Sequence, residues 1–397
     1  MPSIEESGYP LVFKVPAGIS ELLKAGETEE EQTIAIRAQV RALEGMQKEA
    51  IVYDSPSGTT WRMVSDEGPY LNGTDLAPFP LAFYTAGMAF SFMAELLRHA
   101  EVHHVPIESV KVIQDNFYTM EGSAIRGDMI GGAKPAEIRV EIQADASQEA
   151  ASKLLTLAEQ SSPAQAYMRD TLTNTFALNF NGRSIPVTDV AGSGASPSPD
   201  PEPMFEAVQP IDPAGYLPDI ITKLKAAEPV FGVEGGAGSS LQAEQKRILH
   251  VRGIGVLRED GLKEVSVQLF KPIGSTFRFL SDEHSQVAPP SLAYLSAGVG
   301  FCYMTQMGRY AHIVKQALQS YRIVQDNRFT YEGDPYQETL QAKAAPVDTQ
   351  VFVTMNDSEE AAQKLVSMSE RTCFLHAAMR TQNPAHIEVS DSLEDEE

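Results

Sequence analysis

The chain has 397 residues, 43% of them apolar and 21% charged, with two cysteines and a formal net charge of −23. That length accommodates two domains of ordinary size, each with its own core. The charge excludes a surface built for nucleic acid or an anionic membrane, since both need clustered Lys and Arg. Two cysteines in so long a chain exclude a disulfide scaffold. No stretch reaches eighteen uninterrupted apolar residues, and the opening MPSIEESGYP lacks the basic start and apolar centre of a signal peptide. The expectation is a reducing, cytoplasmic setting with no membrane span, where paired thiols are more often catalytic than structural.

In chain order, Pro16-Ala17-Gly18 opens a short helical preface, and Pro78 to Pro80 bound the start of a long apolar stretch. Residues 192–203, GSGASPSPDPEP, cannot build a core and read as a flexible linker. Pro213-Ala214-Gly215 repeats the preface. Residues 248–256 and 265–269 alternate or run β-branched, as strands do. Pro289-Pro290 leads into 291–319, apolar nearly all round, which predicts a buried central helix. Strands follow at 320–331 and 349–354. A helix then starts at Asn356 or Asp357, with Glu359 or Glu360 completing a capping box, and runs to about residue 370. A last helix starts near Cys373, and Asp391 with Glu394 to Glu397 forms an acidic, solvated tail.

The chain also matches itself. Residues 60–67, TWRMVSDE, align with 276–283, TFRFLSDE, at an offset of 216, as do Gly45 with Gly261 and Gly58 with Gly274. The offset then becomes 211. It holds from Leu81/Leu292 through Gln114-Asp115-Asn116/Gln325-Asp326-Asn327 and Gly122/Gly333 to Met168-Arg169/Met379-Arg380. So long a register marks an internal duplication. The expected fold is α+β in two tandem modules: copy one at 1–191, the linker, copy two at 204–390 and the tail at 391–397.

Both cysteines fall in copy two. Cys302 lies inside the central helix and Cys373 at the start of a later one, where the positive dipole end favours a thiolate. The plain alternative is a pair of buried apolar side chains, since free Cys is among the most buried residue types.

The segments Ala297-Gly298-Val299-Gly300-Phe301-Cys302 and Glu370-Arg371-Thr372-Cys373-Phe374, 71 residues apart, resemble the two motifs of the OsmC/Ohr family of thiol peroxidases, and Tyr310-Ala311 fits the helix between them. Copy one has Ser91 and Ser162 at the matched positions, with Pro163 retained after the second. The resemblance implies an antiparallel sheet around a long buried helix, in a family of intertwined homodimers. A tandem copy then looks like a fused, monomeric pseudo-dimer. It further implies that Cys302 attacks a peroxide, Cys373 resolves the sulfenic acid, and an external thiol reductant restores the pair. Peroxide-reducing members carry a Glu ten residues before the first Cys, paired with an Arg. Here Leu292 stands there, Leu81 in copy one, and Arg258 is the candidate arginine.

An apolar pocket of Tyr294, Phe301, Tyr303 and Met304 would suit organic peroxides. The rival expectation is a non-enzymatic member of the same fold that binds an apolar ligand or a protein partner. Glu283 or Asp282 could supply the missing carboxylate, although Ser-Asp-Glu at 65–67 and 281–283 reads first as a turn. Gln-Asp-Asn inside a strand implies a bulge or an interface network. His99, His103 and His104 have partial metal-like spacing with nothing to complete a site. His376 reads as an exposed helix residue. No phosphate loop or dinucleotide fingerprint is present, so neither a cofactor nor a metal is expected.

Overall fold

Alternating apolar residues make strands and continuous apolar runs make buried helices, and both patterns occur twice. The computed structural model describes residues 2–24, 33–212, 215–227 and 245–389. The first half contains α1 (Ile4–Ser7), β1 (Val12–Lys14), α2 (Ala17–Leu23), β2 (Thr33–Ala42), β3 (Lys48–Asp54), β4 (Thr59–Ser65) and α3 (Pro80–Val102). It continues with β5 (Ile107–Gly122), β6 (Ile130–Ala133), β7 (Glu137–Ala144), α4 (Gln148–Ser161), α5 (Pro163–Arg169), β8 (Thr175–Phe180), β9 (Arg183–Ile185) and β10 (Ala191–Gly192). The second half has α6 (Glu202–Ala207), β11 (Ile221–Lys225), β12 (Gln245–Leu257), β13 (Lys263–Lys271), β14 (Thr276–Ser281) and α7 (Ser291–Ile313). Then come β15 (Leu318–Glu332), β16 (Gln341–Ala344), β17 (Asp348–Met355), α8 (Glu359–Thr372), α9 (Phe374–Arg380) and β18 (His386–Val389). From β2 to β8 and from β12 to β18 the order of strands and α-helices is the same. The fold is α+β, as expected.

Each sheet draws strands from both halves. One runs β1-β4-β3-β2-β15-β17-β8-β10 and the other β11-β14-β13-β12-β5-β7-β18. Neighbours are antiparallel, except that β8 lies parallel to β17 and β10, and β18 parallel to β7. These parallel closures depart from the purely antiparallel sheet expected. They arise because β8 and β18 each follow a helical pair that carries the chain from one sheet to the other, a crossover that a hairpin cannot make.

The seams between halves carry the Gln-Asp-Asn motifs. Arg37 sits opposite Asp326, and Arg252 opposite Asp115, in unbroken register, so the motif forms a network rather than a bulge. Asp326 accepts from Arg37 at 2.7 and 2.8 Å. Asp115 accepts from Arg252 at 2.7 and 3.0 Å and from Arg139 at 3.1 Å, with His250 Nε2 at 2.6 Å. Tyr167 donates to Asn327 at 2.8 Å, and Asn116 to Thr85 at 2.9 Å.

Helices α3 and α7 cross at the centre of one apolar core shared by both halves. A Cβ on Gly87 would meet the Leu295 backbone nitrogen at 2.6 Å, and one on Gly298 the Tyr84 nitrogen at 2.7 Å. Only glycine permits this approach. Helix α3 is long and apolar enough to cross a bilayer by length and composition, and most of it is buried within the protein.

Several boundaries differ from the sequence expectation. Helix α7 ends at Ile313, with Val314 as its cap and Lys315 at φ 59°, so 315–319 leave it. Helix α8 is capped by Ser358, which accepts from Ala361 N at 3.3 Å, while Asp357 accepts from Ala317 N instead. Pro213 and Ala214 of the second preface, and the acidic tail at 391–397, lie outside the described residues. After that preface comes strand β11, which pairs with β14 as β1 pairs with β4. The segment read as a flexible linker is bonded to the sheet: Ser198 N donates to Gln350 Oε1 at 2.5 Å, and Asp200 pairs with Arg322.

Candidate functional site

Helix α7 carries Cys302 along the core, and Cys373 is the N-cap of α9, the position Ser162 holds for α5. Both thiols are free and buried, at 2% and 0% exposure. Their sulfurs lie 3.4 Å apart, so the structure brings the two predicted cysteines together. In the first half Ser91 and Ser162 make the equivalent contact, Oγ to Oγ at 2.8 Å.

The dipole expectation for Cys373 is overturned. Burial pushes its thiol well above the ordinary range, and the bond and charge of Cys302 add to this. The amides of His376 and Leu375 oppose the shift without cancelling it. His376 is also not the exposed side chain expected. It is fully buried, with Nδ1 3.2 Å from Cys373 Sγ and its ring beside Tyr303 and Phe176. Burial, helped by Arg380, lowers it to about 3, so the imidazole is neutral.

A small cavity of about 30 Å³ opens on Cys302, lined by Leu81, Phe79, Leu249, Phe374, Glu67 and Arg309 among others. Tyr294, Phe301, Tyr303 and Met304, expected to form the pocket, are core residues that do not line it. Leu292 does not reach this cavity either; its first-half counterpart Leu81 does. Arg258 lies in the β12–β13 turn, paired with Asp260 at 2.9 Å and Glu264 at 3.2 Å, and is absent from the cavity lining. A hairpin-tip arginine with two local carboxylates has nothing to draw it inward.

The charges beside Cys302 come from elsewhere. Glu67, 4% exposed, accepts from Thr305 at 2.9 Å and from Tyr70 at 3.0 Å. Burial raises its pKa, against the pull of Lys48, Thr305, Tyr70 and Arg309. Lys48, 1% exposed, donates to Met46 O at 2.5 Å. Burial lowers its pKa, while Glu67, Asp66 and Cys302 oppose that shift. Arg309 is lowered by burial and supported by Glu67, Tyr70 and Cys302. The carboxylate and the ammonium thus come from the half that lacks thiols, because β2 to β4 lie against α7.

The doubled Ser-Asp-Glu motif holds the reason this went unread. Asp66 and Asp282 do make the expected turns, accepting from nearby backbone amides. Glu283 was weighed as the missing carboxylate, yet it bonds Ser291 and Lys263. Its twin Glu67 lines the cavity that opens on Cys302. His99 is likewise structural, with Nε2 3.0 Å from Ser161 Oγ, and no metal-ligand cluster occurs among the described residues. A second cavity of about 400 Å³ adjoins the first, sharing Leu71 and Arg309 with it. Met46, Ile313, Leu318 and Tyr321 supply much of its apolar wall.

No family model and no curated protein matches the chain. Among solved structures, the crystal structure of an OsmC-like hydroperoxide resistance protein from Jannaschia sp. CCS1 is similar to part of it. The two are 24% identical, the match covers 29% of this chain and 75% of that chain, and the TM-score is 0.21.

Proposed function

We propose that the chain is a fused, intertwined pair of OsmC-like modules in which Cys302 and Cys373 reduce organic peroxides by a thiol–disulfide cycle. The observation that carries this reading is the 3.4 Å contact of two free thiols, one opening on a cavity. In the first step the Cys302 sulfur attacks the distal peroxide oxygen, the O–O bond breaks, and an alcohol leaves a sulfenic acid. In the second, Cys373 displaces that hydroxyl as water and closes a disulfide, which an external thiol reopens. Lys48 and Arg309 set positive charge where the alkoxide and sulfenate develop, a low-dielectric position in which such charge acts strongly. The cavity of about 400 Å³ beyond Arg309 has room for the organic part of the substrate.

A cytoplasmic location and a monomeric state fit this cycle, with a peroxide and a thiol reductant as the partners. The binding-protein alternative would fill the same cavity without chemistry. Two variants separate the readings. Cys302→Ser should abolish hydroperoxide consumption, whereas Cys373→Ser should complete one turnover and leave a sulfenic acid trappable by dimedone. A wild-type protein that is inert, with Cys302 still reduced in excess hydroperoxide, would leave the binding reading in its place.

A further inference from the structure

We propose that His376 is a catalytic residue for disulfide closure: its Nδ1 takes the proton of Cys373 as that sulfur attacks Cys302, and gives it up once hydroxide has left. The inference rests on the thiol cycle proposed above and deepens its second step.

Nδ1 lies 3.2 Å from Cys373 Sγ, on the side chain one turn into α9, and the Cys373 sulfur lies 3.4 Å from its target. One sulfur therefore touches both its electrophile and a base. The ring is neutral, and in the tautomer that carries its hydrogen on Nε2 the Nδ1 can accept a proton. Burial raises the thiol and lowers the imidazole, so the proposed transfer accompanies S–S bond formation. His376 Nε2 is buried without a hydrogen-bond partner, and Tyr303 and Phe176 flank the ring. The hydroxide leaves from the face of Cys302 opposite Cys373, and the imidazolium, a strong acid in this site, then gives up its proton so that water forms. The balance closes: the sulfenic S–O bond breaks, the S–S bond forms, and the Cys373 proton with the departing hydroxide makes one water.

The other half provides an internal comparison. At the offset of 211, the residue matching His376 is Gln165, where the thiols are Ser91 and Ser162. Both side-chain polar atoms of Gln165 are buried and unpartnered. A titratable ring stands only beside the thiols, and an amide that cannot take a proton stands beside the hydroxyls.

The test compares wild type, His376→Asn and His376→Phe in the full chain. Asn retains a polar group near the Nδ1 position but cannot accept a proton; Phe retains only the ring's bulk. With one equivalent of hydroperoxide, sulfenic acid is followed by dimedone trapping and the disulfide by mass spectrometry. Both variants should slow closure roughly tenfold to a hundredfold more than they slow sulfenic acid formation, within the range of general acid–base catalysis. Wild type should show a solvent isotope effect on closure that Asn lacks. Closure at the wild-type rate in Asn would reduce His376 to a hydrogen-bonding prop and overturn the proposal, as would wild-type rates in both variants.

A second entry to the same step separates this from the peroxidase reading. Methyl methanethiosulfonate converts Cys302 to a methyl disulfide, which Cys373 then resolves with loss of methanethiol. His376 dependence there, with a protein inert to peroxide, would sink the peroxidase and keep the histidine's role. Peroxide turnover with no His376 dependence by either entry would do the reverse.

Discussion

Asp115→Asn is the substitution whose cost follows most directly from the structure. Asp115 lies on β5 at the seam with β12, its side chain 2% exposed and bonded to Arg252, His250 and Arg139. Burial pushes its carboxyl up, but bonds from His250 and Arg252 together outweigh that and hold it at about 2, against an ordinary 3.8. A carboxyl depressed by that much stabilises the fold by about 2 kcal/mol at pH 7. The sign is fixed: the folded pKa lies below the unfolded one, so the contribution is present above about pH 4 and fades as pH falls towards 2. By pH 3 about half should remain. Urea unfolding of wild type and variant at pH 7, 5, 4 and 3, followed by fluorescence and circular dichroism, reads the difference at each pH. A gap near 2 kcal/mol that shrinks only below pH 4 is expected. No gap at pH 7, or one as large at pH 3 as at pH 7, would refute the claim that this charge holds the seam.

Three further outcomes follow from named contacts. Gly298→Ala drives a Cβ to 2.7 Å from the Tyr84 backbone nitrogen, an overpacking cost of about 1–3 kcal/mol partly offset by the better helix former. Since Gly87→Ala opens the same crossing, the double variant should cost less than the two singles together, as urea midpoints would show. Glu67→Gln keeps an acceptor for Thr305 and Tyr70 while removing the charge that balances buried Lys48, so hydroperoxide consumption should fall at least tenfold. Glu283→Gln should leave the rate within about twofold, and equal effects from the two would overturn the cross-half assignment. Arg258→Ala should change neither the rate nor the stability beyond about 0.5 kcal/mol, because its bonds are confined to an exposed turn.

The α+β class, the central helices and the cysteine pair were legible because each rests on a local signal. Pro80 and Ser291 open 23-residue helices where the apolar runs begin, and the motif spacing brings two sulfurs to 3.4 Å. The crossing of strands was not legible. Whether the second edge of β2 takes β5 or β15 depends on long-range packing that no period in the sequence encodes, and the origin of Glu67 and Lys48 depends on that pairing. The duplicated Ser-Asp-Glu gave a signal, but Glu67 and Glu283 look alike in sequence and differ only in what their hairpins are laid against. His376 was misread for a related reason. Helix α9 is short and closed in by Phe176 and Tyr303, so burial there comes from distant elements and leaves no amphipathic pattern to read.

The central claim, that Cys302 and Cys373 act as one dithiol on peroxide, is tested most directly by an anaerobic thiol titration before and after one equivalent of organic hydroperoxide. The prediction is two titratable thiols in the denatured protein beforehand and none afterwards, with peptide mapping that finds a Cys302–Cys373 disulfide within one chain. Two thiols still titratable afterwards, with Cys302 recovered unmodified, would contradict it.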